Sequence, residues 1–147
     1  VIIMRILLDN NYIITDELIK KDQEILVVGS SRIQIKLKEQ TEVHCFNYGE
    51  MVSLTIEVIQ EAIKKRILIF DVQFPTRFKL QLSFLTIRGL YSIQVELTEK
   101  ELEELFNQFN KQKVVIHDPV KLETYYKTHQ QNLAAYVAKQ LKELYPI

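Results

Sequence analysis

Two neighbouring residues, His117 and Asp118, are the first pair in this chain that could move a proton. An imidazole beside a carboxylate can serve as a general base with its orienting acid, or as half of a metal site. Adjacent residues seldom aim at one atom, however, and Asp118 stands before Pro119, where an acid followed by proline opens a helix. The other histidines are His44 and His129, and the chain has no zinc-ligand spacing. Packing with a hydrogen bond is the expected role of His129, beside Tyr125 and Tyr126. A nuclease core needs a strand aspartate and, on the next strand, an acid two residues before a lysine. Asp71 and Glu96 supply the acids, but Thr98 holds the lysine position, so the metal-binding set is incomplete. With three glycines in the chain, no phosphate-cradling loop or dinucleotide fingerprint can be assembled. Catalytic chemistry therefore has no complete constellation, His117 and Asp118 remain weak candidates, and no metal or cofactor is expected.

Charge offers a second route to function. Lysine plus arginine balance aspartate plus glutamate at 19 each, so net charge selects no partner. Residues 61–90 nevertheless hold six basic side chains, Lys64, Lys65, Arg66, Arg77, Lys79 and Arg88, against Glu61 and Asp71. Arg77 and Lys79 fall on one face of an alternating strand, where they could meet phosphates of a nucleic acid or a small anionic ligand. The competing reading is a solvated strand whose cations discourage edge-to-edge pairing, and it is the favoured one.

The elements that would carry these residues follow from periodicity. Val1–Leu8 reads as a strand, too short to span a membrane. A helical turn is expected over 16–21, and strands over 24–28 and 33–37, joined as a hairpin at Gly29-Ser30-Ser31. Gln34, Lys36 and Lys38 alternate with Ile33, Ile35 and Leu37 as the polar side of a half-buried strand. A third strand covers 41–48 and places Cys45, the one cysteine, as a buried thiol. Val52, Ile56, Ile59 and Ile63 fall at helical spacing and predict a helix over 50–66. Further strands are expected at 67–72, 77–88 and 91–97, with the alternation blurred at Phe84-Leu85. Thr98 with Glu101 is a capping box that opens a helix through Phe109. A last short strand at 114–116 leads into the tail.

Residues 119–145 carry Leu122, Tyr126, Leu133, Val137, Leu141 and Leu144 on one helical stripe. This predicts a C-terminal helix roughly 40 Å long if unbroken, while Thr128 and Gln131 form a second start signal that would split it in two. Leu133, Val137 and Leu141 are the expected oligomer-interface residues. The middle of the chain reads strand, strand, strand, helix over 25–65 and again over 67–111. Duplication and chance resemblance of two amphipathic strands both remain open.

The sequence thus predicts one α+β domain over 1–147, with antiparallel β-meanders packed against three helices. The leading functional expectation is a non-catalytic interaction or regulatory module that pairs with itself, as a homo-oligomer, or with another protein. A nucleic-acid or anion binder through 64–88 is second, and an enzyme using His117 and Asp118 is third. The single cysteine fits a reducing, cytoplasmic setting, and no membrane contact is expected.

Overall fold

The computed structural model describes residues 3–6, 14, 16–20, 24–59, 77–128 and 133–144. Two four-stranded sheets form the body. The first contains β1 (Ile3–Ile6), β2 (Ile25–Val28), β3 (Arg32–Lys36) and β4 (His44–Asn47), in that spatial order. The second contains β7 (Gly89–Thr98), β6 (Arg77–Thr86), β5 (Met51–Val58) and β8 (Val115–His117), also in spatial order. Helix α1 spans Asp16–Lys20, α2 Glu99–Lys111, α3 Leu122–Lys127 and α4 Leu133–Leu144. The α+β class is as expected, but the meanders are not purely antiparallel. β1 runs parallel to β2 and β8 parallel to β5.

The expected helix over 50–66 is instead strand β5, a central strand paired with both β6 and β8. Its β-branched residues Val52, Thr55, Ile56 and Val58 suit a pleated surface. Leu54 and Ile56 face the core while Glu57 faces water, a period of two that the helical stripe had masked. Where a strand is flanked on both sides, tertiary pairing decides between two patterns that share positions. The remainder of that expected helix, and the strand expected at 67–72, lie outside the described residues.

This also removes the doubled pattern. The element that should close the first unit as a helix is a strand, and it belongs to the same sheet as β6 and β7. The long tail helix is corrected too. Thr128 ends α3, its Oγ1 donating to the Thr124 carbonyl at 2.7 Å, and α4 begins at Leu133. Twelve residues make α4 about 18 Å long at 1.5 Å per residue.

One continuous core joins the sheets. Leu26, Val28, Ile33, Ile35 and Phe46 come from the first sheet, and Leu54, Ile56, Leu80, Leu82, Phe84, Ile93, Val95 and Leu97 from the second. Helix α2 presents Leu102, Leu105, Phe106 and Phe109, one stripe of a 3.6-residue helix. Its expected cap is present, with Thr98 Oγ1 accepting from the Glu101 amide and Glu101 Oε1 accepting from the Thr98 amide. β7 bridges the sheets at its exposed edge. Tyr91 packs on His44 and Phe46 of β4, and the Gln94 amide donates to the Glu24 carboxylate that precedes β2.

β3 is buried on both faces, contrary to the half-buried expectation. Gln34 is 6% exposed and Lys36 is fully buried. A second small cluster of Ile14, Ile25 and Val27, with Ile19 of α1 and Val43 against it, covers that side of the first sheet. Sequence alternation shows which residues are polar; the covering layer of α1 decides that they are nevertheless enclosed.

The turn between β2 and β3 is tied to α2 by side chains. Tyr48 Oη donates to the Gly29 carbonyl at 2.6 Å, and Gln108 Nε2 reaches the Gly29 and Ser30 carbonyls at 3.2 and 2.9 Å. Gln112 Nε2 adds a third contact to Ser30 at 3.0 Å. Burial is the main reason the Tyr48 phenol is pushed up to about 12, with the Gln108 hydrogen bond opposing it. An unfolded tyrosine ionises near 10, so the stability from keeping this phenol neutral in the fold is complete below that value and is lost as pH rises towards the folded-state value. Stability is expected to be flat with respect to this group below pH 10 and to fall from pH 10 towards 12. In Tyr48→Phe that portion of the alkaline loss should disappear, which denaturant midpoints measured from pH 9 to 12 would reveal.

Candidate interaction surface

The second sheet has one face on the core and one towards water, and its pairing register orders the outer face into rows. Residues of this face are Leu90, Ser92, Gln94 and Glu96 of β7; Lys79, Gln81, Ser83 and Leu85 of β6; Ser53, which is itself buried, Thr55 and Glu57 of β5; and Val115 and His117 of β8. Cα partners in register place their side chains on the same face. Leu90, Leu85, Ser53 and Val115 therefore form one row across all four strands. The next row is Ser92, Ser83, Thr55 and His117, with Ser83 and Ser92 hydroxyls 3.0 Å apart. Gln94, Gln81 and Glu57 follow, and then Glu96 opposite Lys79.

The first row ends in apolar side chains that water reaches. Leu85 is 42% exposed, Leu90 64% and Val115 55%. Ile87, in the β6–β7 turn, is 69% exposed, and Val52, the extra residue where the β5–β6 register shifts, is 51% exposed. The bulge at Val52 adds a second apolar side chain where the pleat alone would leave one. Single exposed leucines are ordinary; five large apolar residues gathered at one end of the sheet are the informative observation.

Arg88 shares the turn with Ile87, yet its side chain folds back over the first sheet. The guanidinium donates through Nη2 to the Cys45 carbonyl, lies 4.2 Å from the centre of the Phe46 ring, and has Nε 3.7 Å from Glu50 Oε2. Glu50 is itself held in a capping box with Asn47 around the 3₁₀ turn Tyr48–Glu50. The cation of the turn is thus directed away from the apolar row.

The candidate basic segment is not gathered into one patch among the described residues. Lys64, Lys65 and Arg66 lie outside them, and Arg77 opens β6 opposite Thr98. Lys79 is half-buried opposite Glu96, and Arg88 sits nine residues further along, about 30 Å at strand spacing. His117 and Asp118 also diverge. His117 is exposed on the outer face, whereas the Asp118 carboxylate accepts from the amides of Leu122 and Glu123 at 2.9 and 3.0 Å. Asp118 therefore caps α3, three residues later than the expected helix start, after Lys121 adopts a left-handed conformation with φ 54°. Its pKa is raised above 3.8, chiefly by burial, which the two amide bonds partly offset.

A raised pKa in the folded state means that protonation favours folding. The stability from this group is complete below pH 3.8 and is lost as pH rises through the raised value. Wild type should lose stability relative to Asp118→Asn over that interval and then hold a constant difference. Asp118→Ala removes both bonds and should cost about 1 kcal/mol at neutral pH, measured by urea denaturation. Equal stability of the alanine variant would show that water caps the helix as well.

Cys45 is exposed, not the expected buried thiol, because β4 is an edge strand that turns Phe46 inward and Cys45 outward. His44 Nε2 lies 3.2 Å from Gln40 Oε1, and His129 lies outside the described residues. Of the interface residues expected in the tail, Val137 is 1% exposed within the core and Leu141 packs against that core. Leu133 opens α4. Glu96 faces water and Asp71 lies outside the described residues. Among the described residues, no group of three or more histidine, cysteine, aspartate or glutamate side chains is placed to hold a metal. No helix among them is long and apolar enough to cross a membrane.

The apolar row was not singled out in the sequence. The available signal was Leu85, which breaks the alternation of β6, together with Leu90 at a polar position of β7. No family model, no curated protein and no solved structure matches the chain.

Proposed function

We propose that this chain is a non-catalytic interaction module that docks a flat, uncharged protein surface on the outer face of its second sheet. The observation that carries this reading is the exposed apolar end of that face, Leu85, Leu90, Val115, Val52 and Ile87. An apolar core rimmed by polar, uncharged side chains has the composition of an interface centre, from which charge is depleted. The neighbouring row of Ser92, Ser83 and Thr55 supplies hydroxyls that can exchange water for partner hydrogen bonds without leaving a buried ion.

The test is a photo-crosslinking amino acid placed at position 87 and, as a control, at position 57, in cells that express the chain. Covalent protein adducts at 87 and not at 57 are expected. No adduct at 87, or equal adducts at both positions, would overturn the reading.

A further inference from the structure

We infer that the partner is a second copy of the chain, packed face to face across the outer surfaces of the two second sheets about a twofold axis. This rests on the interaction-module reading and names its partner. A twofold interface is isologous, so each surface must tolerate a copy of itself, and every charge in it is met by its own image or a near neighbour. The apolar row and the hydroxyl row next to it contain no aspartate, glutamate, lysine or arginine, and their one titratable side chain is His117, at the β8 end of the second row. Two copies can thus stack these rows with no like charges opposed. A partner selected by electrostatic steering would find nothing there to read.

The charges of the face begin only with Glu57, Glu96 and Lys79, at the end away from the leucines. Arg88, the nearest cation to the strip in sequence, is held over Phe46 and beside Glu50. The whole chain adds no opposition, because its net charge is zero and such proteins associate readily. Stacked sheets approach to about 10 Å, a spacing that side chains of leucine and valine size fill from both sides.

Size bears on the kind of pairing. Four strands at about 4.8 Å spacing make a face roughly 19 Å wide, and the apolar and hydroxyl rows with the turn occupy roughly 20 Å along it. That footprint is on the order of 400 Å², about half of the ~800 Å² per partner in a standard stable interface. A footprint of that size suits a reversible dimer, not a permanent one.

Sedimentation equilibrium of the purified chain from about 1 to 300 µM tests this. A monomer–dimer equilibrium is expected, with Leu85→Lys and Leu85→Glu each weakening it at least 100-fold while the thermal midpoint stays within a few degrees. An equimolar mixture of the two variants should recover dimer, because opposite charges then meet at the centre of the row. Wild type that remains monomeric throughout would overturn the self-pairing. So would a dimer indifferent to either Leu85 variant, which would place the contact elsewhere. If the chain is monomeric alone yet position 87 crosslinks a different protein in cells, self-pairing fails and the interaction-module reading stands. If position 87 also yields nothing, both fail.

Discussion

Phe109→Ala should cost about 3–5 kcal/mol, the largest loss expected from any single truncation outside the strands. Phe109 is fully buried at the point where α2 meets both sheets. Its ring lies edge-on to Tyr48 at 5.6 Å and tilted against Phe84 at 6.0 Å. Tyr48 belongs to the turn after the first sheet and Phe84 to the centre of the second, so a cavity here detaches the two sheets from one another. Because Phe84 is held by strand pairing and Tyr48 by its hydrogen bond to Gly29, they cannot collapse to fill it, which puts the cost in the upper part of the usual range. For a domain of this length the thermal midpoint should drop by about 10–20 °C. Phe109→Leu, which keeps most of the volume, should lose less than half as much. A drop of only a few degrees for the alanine variant in calorimetry would show that α2 does not couple the sheets.

The second large effect is expected from a pair. Gly29 is buried, and its carbonyl receives both Tyr48 Oη and Gln108 Nε2. Either Tyr48→Phe or Gln108→Leu alone leaves one donor in place and should cost about 1 kcal/mol. The double variant strips that carbonyl of both side-chain donors. An unsatisfied buried acceptor costs about 1–3 kcal/mol beyond the bonds removed, so the combined loss should exceed the sum of the singles by at least about 1 kcal/mol. Simple additivity in urea denaturation would mean that water enters the turn and takes over.

Local chemistry was legible in the sequence wherever one residue contact decided the outcome. Thr98 and Glu101 announced α2, the hairpin at Gly29-Ser30-Ser31 was readable, and Asp118 identified a capping acid whose helix starts later than its neighbour Pro119 suggested. The same kind of signal in Asn47 and Glu50, which marks the 3₁₀ turn, went unread between the strand expected through 48 and the helix expected from 50. Non-local pairing was not legible. Val52, Ile56, Ile59 and Ile63 fit a helical stripe, while Val52, Leu54, Ile56 and Val58 also fit a strand, and over 51–58 the partners β6 and β8 separate the two. Lys36 looked like the wet side of β3 because the layer that encloses it arrives from a different part of the chain.

The interaction surface shows the same division. The expected interface in the tail was argued from apolar residues alone, and Val137 proved to be core, since a helical stripe does not say which body it faces. The outer row at Leu85 and Leu90 needed the register between strands, which assembles single residues from β5, β6, β7 and β8 into one line.

The parallel pairing of β8 with β5 has a consequence for synthesis. Ser53 leaves the ribosome well before its neighbour Val115, which stands 62 positions further along the chain. Val115 follows Leu85, the β6 partner of Ser53, by 30 positions, so at about 5–20 residues per second β5 waits about 1.5–6 s with one edge open after it could first pair with β6. During that interval its outward hydrogen-bonding groups are available to any extended segment nearby, including the same strand on an adjacent nascent chain. The three-residue strand Val115–His117 is thus the closing piece of the sheet, and a message truncated before it would yield a product prone to cluster cotranslationally.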